Sequence, residues 1–190
     1  MKRLALAILV VTAVAATVFL ALNRPGAEAS PDFTITVDST DDTDTRDWEL
    51  TLREAMKLAT GELLLGELKQ GECNQVSGTS WEFPLGPCEA KHSPGGASAD
   101  TIVFSGGDFP PGGSATIALS YSLPALDTGN DSVDGSATVV AVDGGWPSIT
   151  PFDCFEITSD NNSIKGLEIN GCWAGVDIRD GAQDNTIGGS

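Results

Sequence analysis

The residues best suited to chemistry are Asp177, Arg179 and Asp180. They follow a short alternating run, and alternation along a strand would place Asp177 and Arg179 outward on the same face. A basic residue beside carboxylates suits general acid–base catalysis, and two separated carboxylates suit glycoside hydrolysis with inversion. Glu156 is the only acidic neighbour that the repeat spacing supplies. A surface ion pair without catalysis is therefore the competing interpretation.

A second group of candidate ligands lies in an acidic loop that contains Asp38, Asp41, Asp42 and Asp44. Carboxylate oxygens are the ligands that Ca²⁺ takes, so this loop is a candidate calcium site. Its spacing is not that of an EF-hand loop. The alternative is a solvated acidic loop beside a helix N-terminus, where negative charge is favourable. No other cofactor is predicted.

Four cysteines indicate an oxidising compartment. Cys73 and Cys88 lie in a long Gly-, Ser- and Pro-rich stretch, and a disulfide between them would contribute about 3 kcal/mol by closing that loop. Cys154 and Cys172 are a little less than one repeat apart. A diagonal disulfide and two buried thiols remain equally open for this second pair.

The first 29 residues have the features of an export signal. Lys2 and Arg3 precede an apolar run over residues 4–22, and Ala27-Glu28-Ala29 matches the small-x-small pattern of a cleavage site. An uncleaved membrane anchor is the alternative, because such a run is just long enough to span a bilayer. We expect a secreted or cell-surface protein, with membrane contact only if residues 4–22 are retained.

The net charge of the chain is −17, and loss of Lys2, Arg3, Arg24 and Glu28 with the signal would make it −19. Nucleic-acid binding needs a basic footprint to neutralise phosphates, so this partner class is excluded. An acidic exterior suits solubility outside the cell, or attraction of cations and basic partners.

The region before residue 66 predicts one strand and one helix. Residues 33–37 alternate between apolar and β-branched polar side chains, which is typical of a strand. Thr51 and Glu54 form a capping box, and the apolar residues that follow recur at helical spacing to about Thr60.

From Asp100 onward, short β-runs are separated by Gly, Asn and Asp. The segments 131–135, 162–166 and 185–189 share the pattern Asn or Asp, hydroxyl, branched apolar, any residue, Gly. A period in the low twenties with several tiny strands per repeat predicts a β-solenoid, with inward branched residues and an Asn at each corner.

The segment Leu50-Thr51-Leu52-Arg53-Glu54-Ala55, together with strand 33–37 and the Asn-x-Ile-x-Gly corners, resembles the CSLREA domain. That domain begins secreted proteins with a pectate-lyase-like, right-handed parallel β-helix. The resemblance implies an all-β, right-handed parallel β-helix with a short N-terminal capping helix. Leu50 departs from the pattern, because the family has a Cys there, so Cys73 is expected to pair with Cys88 instead.

The resulting organisation is a signal or anchor (1–29), a strand with the capping helix (30–65), a disulfide-stapled loop (66–99) and β-helix coils (100–190). Because no second cap is visible, we expect the chain to be part of a longer β-helix. The first functional hypothesis is an adhesin-like or structural module, non-enzymatic, that contacts polysaccharide or cell-surface glycan. The alternative is the N-terminal part of a β-helix polysaccharide lyase or hydrolase.

Overall fold

The computed structural model describes residues 33–81, 86–90, 93–95, 98–147 and 151–189. The export signal predicted over residues 1–29 lies outside these ranges. Within them, no helix has both the length and the apolar composition needed to cross a membrane.

The described chain forms a parallel β-helix of about 3 turns, as the repeat predicted. Its helices are α1 (Leu52–Ala59) and α2 (Gln70–Asn74), with a 3₁₀ turn at Leu65–Glu67. Its strands are β1 (Thr34–Val37), β2 (Thr79–Trp81), β3 (Cys88–Ala90), β4 (Thr101–Phe104), β5 (Ser114–Ala118), β6 (Ser132–Asp134), β7 (Val139–Asp143), β8 (Phe155–Ile157), β9 (Ser163–Lys165), β10 (Leu167–Asn170), β11 (Val176–Ile178) and β12 (Thr186–Ile187).

Three parallel sheets form the sides of the solenoid. The first has the order β1-β4-β6-β9-β12, the second β10-β7-β5, and the third pairs β11 with β8. A parallel bridge between Leu126 and Ile157 extends the third sheet by one rung. Because the strands of successive coils pair in register within each sheet, inward residues of the same register stack into apolar columns.

The helix α1 covers the first rung, as predicted. The Glu54 amide donates to the Thr51 hydroxyl (3.2 Å), and the Thr51 amide donates to the Glu54 carboxylate (3.0 Å), which completes the capping box. The outer edge of β1 is also paired, because the Thr36 amide donates to the Gln75 carbonyl and the Ser77 amide to the Thr34 carbonyl, both at 2.8 Å. Within the described ranges, the first rung is therefore covered by α1, and its strand edge is paired.

Arg53 ties α1 to the first coil. Its side chain is only 2% exposed, and its guanidinium donates to both oxygens of Asp42, at 2.8 and 3.1 Å. It also donates to the carbonyls of Ser122 (2.7 Å) and Tyr121 (2.9 Å) and lies 3.7 Å from the centre of the Tyr121 ring. A buried guanidinium is stabilising only when its donors are satisfied in this way.

Residues 66–99 are more regular than the predicted loop. They contain α2 and the antiparallel hairpin of β2 and β3, although their low periodicity gave no sign of either. The predicted Cys73–Cys88 disulfide is present, with 5.6 Å between the two Cα atoms. It joins α2 to β3, so it links elements of five and three residues.

A ladder of Asp and Asn side chains runs along one corner of the solenoid. Each side chain accepts a hydrogen bond from the backbone amide of the rung before it: Asp100 from Phe33 (3.1 Å), Asp131 from Asp100 (3.2 Å), Asn162 from Asp131 (3.0 Å) and Asn185 from Asn162 (2.7 Å). The corner role predicted for Asn162 and Asn185 is confirmed. Asp100 belongs to the same ladder, which the repeat pattern did not reveal.

The glycines that end the corner motifs are needed for two reasons. Gly166 has φ +67°, a left-handed conformation that favours glycine. Close packing restricts both positions, since a Cβ at Gly135 would lie 2.5 Å from the Gly166 carbonyl oxygen of the next coil and a Cβ at Gly166 would lie 2.4 Å from the Ser136 amide nitrogen.

Candidate functional site

The candidate site lies on the outward side of the third sheet. In its register, Phe155 pairs with Val176 and Glu156 with Asp177. Phe155 is fully buried, so alternation turns the Glu156 and Asp177 carboxylates outward on adjacent coils. The outward position predicted for Asp177 is therefore correct.

Arg179 lies among three carboxylates. Its Nε donates to Asp177, its Nη2 lies 2.7 Å from Asp153, and its Nη1 lies 3.5 Å from Glu156. The prediction that Glu156 is the only acidic neighbour is wrong, because Asp153 makes the closer contact. Asp153 lies before β8, outside the alternating run, and its other oxygen accepts a hydrogen bond from the Ala174 amide at 3.0 Å.

Asp180 does not belong to this cluster. It begins the turn after β11 with φ +55° and lines a polar depression with Asn130, Asp160 and Asn161. Asp180 follows Arg179 in the sequence, but the turn directs it away from the cluster. The structure therefore separates Asp180 from Asp177 and Arg179, with which it was predicted to act.

The charges of the cluster do not cancel. Asp153, Glu156 and Asp177 carry three negative charges against the single positive charge of Arg179, which leaves −2. The hydrogen bond to Asp177, and then the charges of Asp177, Glu156 and Asp153, raise the pKa of Arg179 above its ordinary value. The guanidinium therefore stays protonated, which does not suit it to accept a proton.

Two exposed tryptophans lie beside the cluster. Trp146 is 53% exposed and Trp173 is 71% exposed, and their ring centres are 6.3 Å apart in an edge-to-face arrangement. The Trp173 amide donates to the Phe152 carbonyl (2.8 Å), directly before Asp153, and the Trp146 amide donates to the Gly171 carbonyl (3.0 Å). The repeat analysis missed this pair, because both residues lie in loops outside the strands.

A disulfide holds the loop that carries Trp173. Cys154 and Cys172 are bonded, with 5.6 Å between their Cα atoms, so the structure selects the diagonal bridge over two buried thiols. Cys154 is fully buried under the third sheet. The bridge therefore anchors the exposed Trp173 to the core of the solenoid.

We name the surface formed by Trp146, Trp173, Asp153, Glu156, Asp177 and Arg179 the tryptophan–carboxylate face. It combines apolar rings with charged groups that are 15–46% exposed. Large side chains left in water beside partly exposed charges are typical of binding surfaces rather than of structural ion pairs.

The aspartates predicted as calcium ligands have separate partners. Asp38 accepts hydrogen bonds from the Leu50 amide (2.6 Å) and the Gln75 side chain (2.6 Å), and its burial raises its pKa. Asp42 pairs with Arg53, as described above, and Asp41 has an exposed side chain.

Asp44 belongs to a second ionic network. It pairs with Lys57 and Arg46, both at 2.6 Å, and the hydrogen bond from Lys57 lowers its pKa. Arg46 also contacts the buried carboxylates of Glu54 (2.6 Å) and Glu72 (3.3 Å). Throughout the described ranges, no three Asp, Glu, His or Cys residues are grouped so that they could hold a metal ion.

Comparisons of the chain with family models, with curated proteins and with solved structures found no match.

Proposed function

We propose that this chain is an exported β-helix module of the cell surface that binds a polysaccharide or surface glycan and does not itself catalyse a reaction. The resemblance of residues 50–55 to the CSLREA domain and the two disulfides support export. The observation that carries the binding role is the exposed Trp146–Trp173 pair beside the charged residues of the third sheet.

The Trp146 and Trp173 rings can bind a sugar because they are rigid, apolar and accessible. A tryptophan offers a large contact area at low conformational cost, and the adjacent carboxylates and guanidinium can accept or donate hydrogen bonds to hydroxyl groups. The third sheet holds Glu156 and Asp177 on adjacent strands, and the Cys154–Cys172 disulfide fixes the loop that carries Trp173, so a ligand would meet a surface that is already formed.

The second candidate function is polysaccharide cleavage, and the observation that favours it is the contact of Arg179 with three carboxylates. Two features disfavour it. The raised pKa of Arg179 opposes a role as proton acceptor, and all three carboxylates are already engaged by one guanidinium. Binding without turnover is the function that this geometry supports best.

The test is a binding screen of the exported protein against a panel of neutral, acidic and amino-sugar polysaccharides, with product analysis in the presence of calcium. We expect Trp173→Ala to reduce glycan binding, while Trp48→Ala, which removes a tryptophan that is 68% exposed elsewhere, leaves it unchanged. Turnover that is lost in Arg179→Gln would instead establish the enzyme.

A further inference from the structure

We propose that the tryptophan–carboxylate face selects cationic sugar chains, namely polymers of amino sugars whose amino groups are free and protonated. This inference rests on the proposed function, since it names the class of glycan that this face would bind. Charge complementarity carries it, because the charged groups of this face are predominantly negative.

The negative charge belongs to the face itself and is not only a property of the whole chain. Asp153, Glu156 and Asp177 exceed Arg179 by two charges, and Asp143 lies at the end of β7, where its carboxylate accepts a hydrogen bond from the Gly145 amide at 2.9 Å. Gly145 immediately precedes Trp146. A further carboxylate therefore contacts the loop that carries Trp146.

The rings add to the same preference. The face of an indole attracts an ammonium group through its quadrupole, and tryptophan is the aromatic residue that does so most strongly. Carboxylates with 15–32% of their side chains exposed can accept hydrogen bonds from that ammonium group. A polyuronate would bring its own carboxylates against these groups and would be repelled.

Arg179 has a defined part in this proposal: it neutralises one of the three carboxylates and thereby limits the affinity for a cation. Removal of Arg179 would leave the carboxylates of Asp153, Glu156 and Asp177 available to a cationic ligand. If the ligand were acidic, Arg179 would be its main anchor, and removal would have the opposite effect. The sign of the change in affinity therefore distinguishes the two kinds of ligand.

The experiment is isothermal titration of the protein with a glucosamine oligomer, its N-acetylated counterpart, an oligogalacturonate and oligolysine, at a mildly acidic pH. We expect the glucosamine oligomer to bind most tightly and to lose affinity as salt is raised. We expect Arg179→Gln to tighten this binding about two- to fivefold and Trp173→Ala to weaken it about tenfold.

Lys165→Gln is the matched control. Lys165 is 41% exposed, compared with 46% for Arg179, and pairs with Asp134 at 3.1 Å on the first sheet. The substitution removes the same charge from the protein but not from the tryptophan–carboxylate face, so the affinity should stay unchanged. Equal tightening in both variants would overturn the proposal, because net charge alone would then explain it.

The remaining outcomes separate this proposal from the one on which it rests. Equal affinity for the free and N-acetylated oligomers overturns the cationic preference but leaves glycan binding intact. Preference for oligogalacturonate, or weaker binding in Arg179→Gln, overturns it in favour of an acidic ligand. If oligolysine binds as tightly as the glucosamine oligomer, the requirement for a sugar is overturned. If no glycan in the panel binds, both proposals are overturned.

Discussion

Arg53 and Arg179 are each engaged by carboxylate groups, yet their surroundings differ at the two ends of the described β-helix. Arg53 is 2% exposed, and its partners include two backbone carbonyls and both oxygens of Asp42. Arg179 is 46% exposed, and its three contacts are all to carboxylates that water also reaches. The first arrangement fixes a helix to a coil, whereas the second can exchange partners with a ligand.

The apolar column of the first sheet shows the same contrast. Ile35, Ile102, Val133, Ile164 and Ile187 occupy one register position on successive rungs. Their exposed fractions are 0%, 0%, 0%, 1% and 44%. The first four rungs therefore bury this column and the last described rung does not, and the difference can be tested by substitution in each region.

The largest expected effect comes from Arg53→Ala. This change leaves the Asp42 carboxylate, whose side chain is 4% exposed, buried without its partner, and such a loss costs about 3–5 kcal/mol. The free energy of unfolding from urea titration measures it. Arg179→Ala should change that free energy far less, because exposed ion pairs contribute little to stability, and equal losses in the two variants would abolish the contrast.

A smaller difference is expected within the apolar column. Ile102→Ala should destabilise the protein by about 2–5 kcal/mol, because it opens a cavity in a closed core. Ile187→Ala removes a side chain that water already reaches, so we expect a loss of less than about 1 kcal/mol. Urea titration of both variants gives the comparison, and similar losses would show that the last described rung is as well packed as the second.

The side chains of the corner ladder should make the stability of the early rungs depend on pH more than that of the later rungs. Its early rungs use Asp100 and Asp131, whereas its later rungs use Asn162 and Asn185. Burial raises the pKa of Asp131 to about 7. This value lies above the ordinary pKa of about 4 for an aspartate. The contribution of Asp131 to the free energy of unfolding is therefore fully present at low pH and is lost as the pH rises through about 7.

Asp131→Asn gives this rung the side chain that the later rungs already have. We expect the variant to be about 1–2 kcal/mol more stable at neutral pH, because this rung then has no carboxylate that must ionise while buried. Its stability should also depend less on pH between about 4 and 7. Thermal unfolding across that interval is the measurement. If the stability of the variant depended on pH as that of the unsubstituted protein does, the raised pKa of Asp131 would be contradicted.

Much of the fold was predictable because it depends on local patterns. The capping box at Thr51 and Glu54, the short strands and the corner residues all follow from spacing and residue type. The α2 helix and the β2–β3 hairpin were not predictable, since they lack a period and depend on the disulfide and on packing. Asp100 escaped the repeat analysis because Phe104 stands where the corner motif ends in Gly.

The candidate site was predicted only in part. Alternation correctly placed Asp177 outward and the repeat spacing brought Glu156 beside it, but the contact of Asp153 with Arg179 depends on a loop before β8. The tryptophan pair joins two loops that are 27 positions apart in the numbering. Contacts of this kind depend on the path of the chain between strands, which residue periodicity does not encode.

The most direct test of this division between a structural interior and a binding exterior is the double variant Trp146→Ala/Trp173→Ala. Its free energy of unfolding and its affinity for the glucosamine oligomer should be measured in the same preparation. We expect the stability to stay within about 0.5 kcal/mol of the unsubstituted protein and the binding to be lost. Unchanged binding, or a loss of binding that accompanies unfolding, would contradict the account.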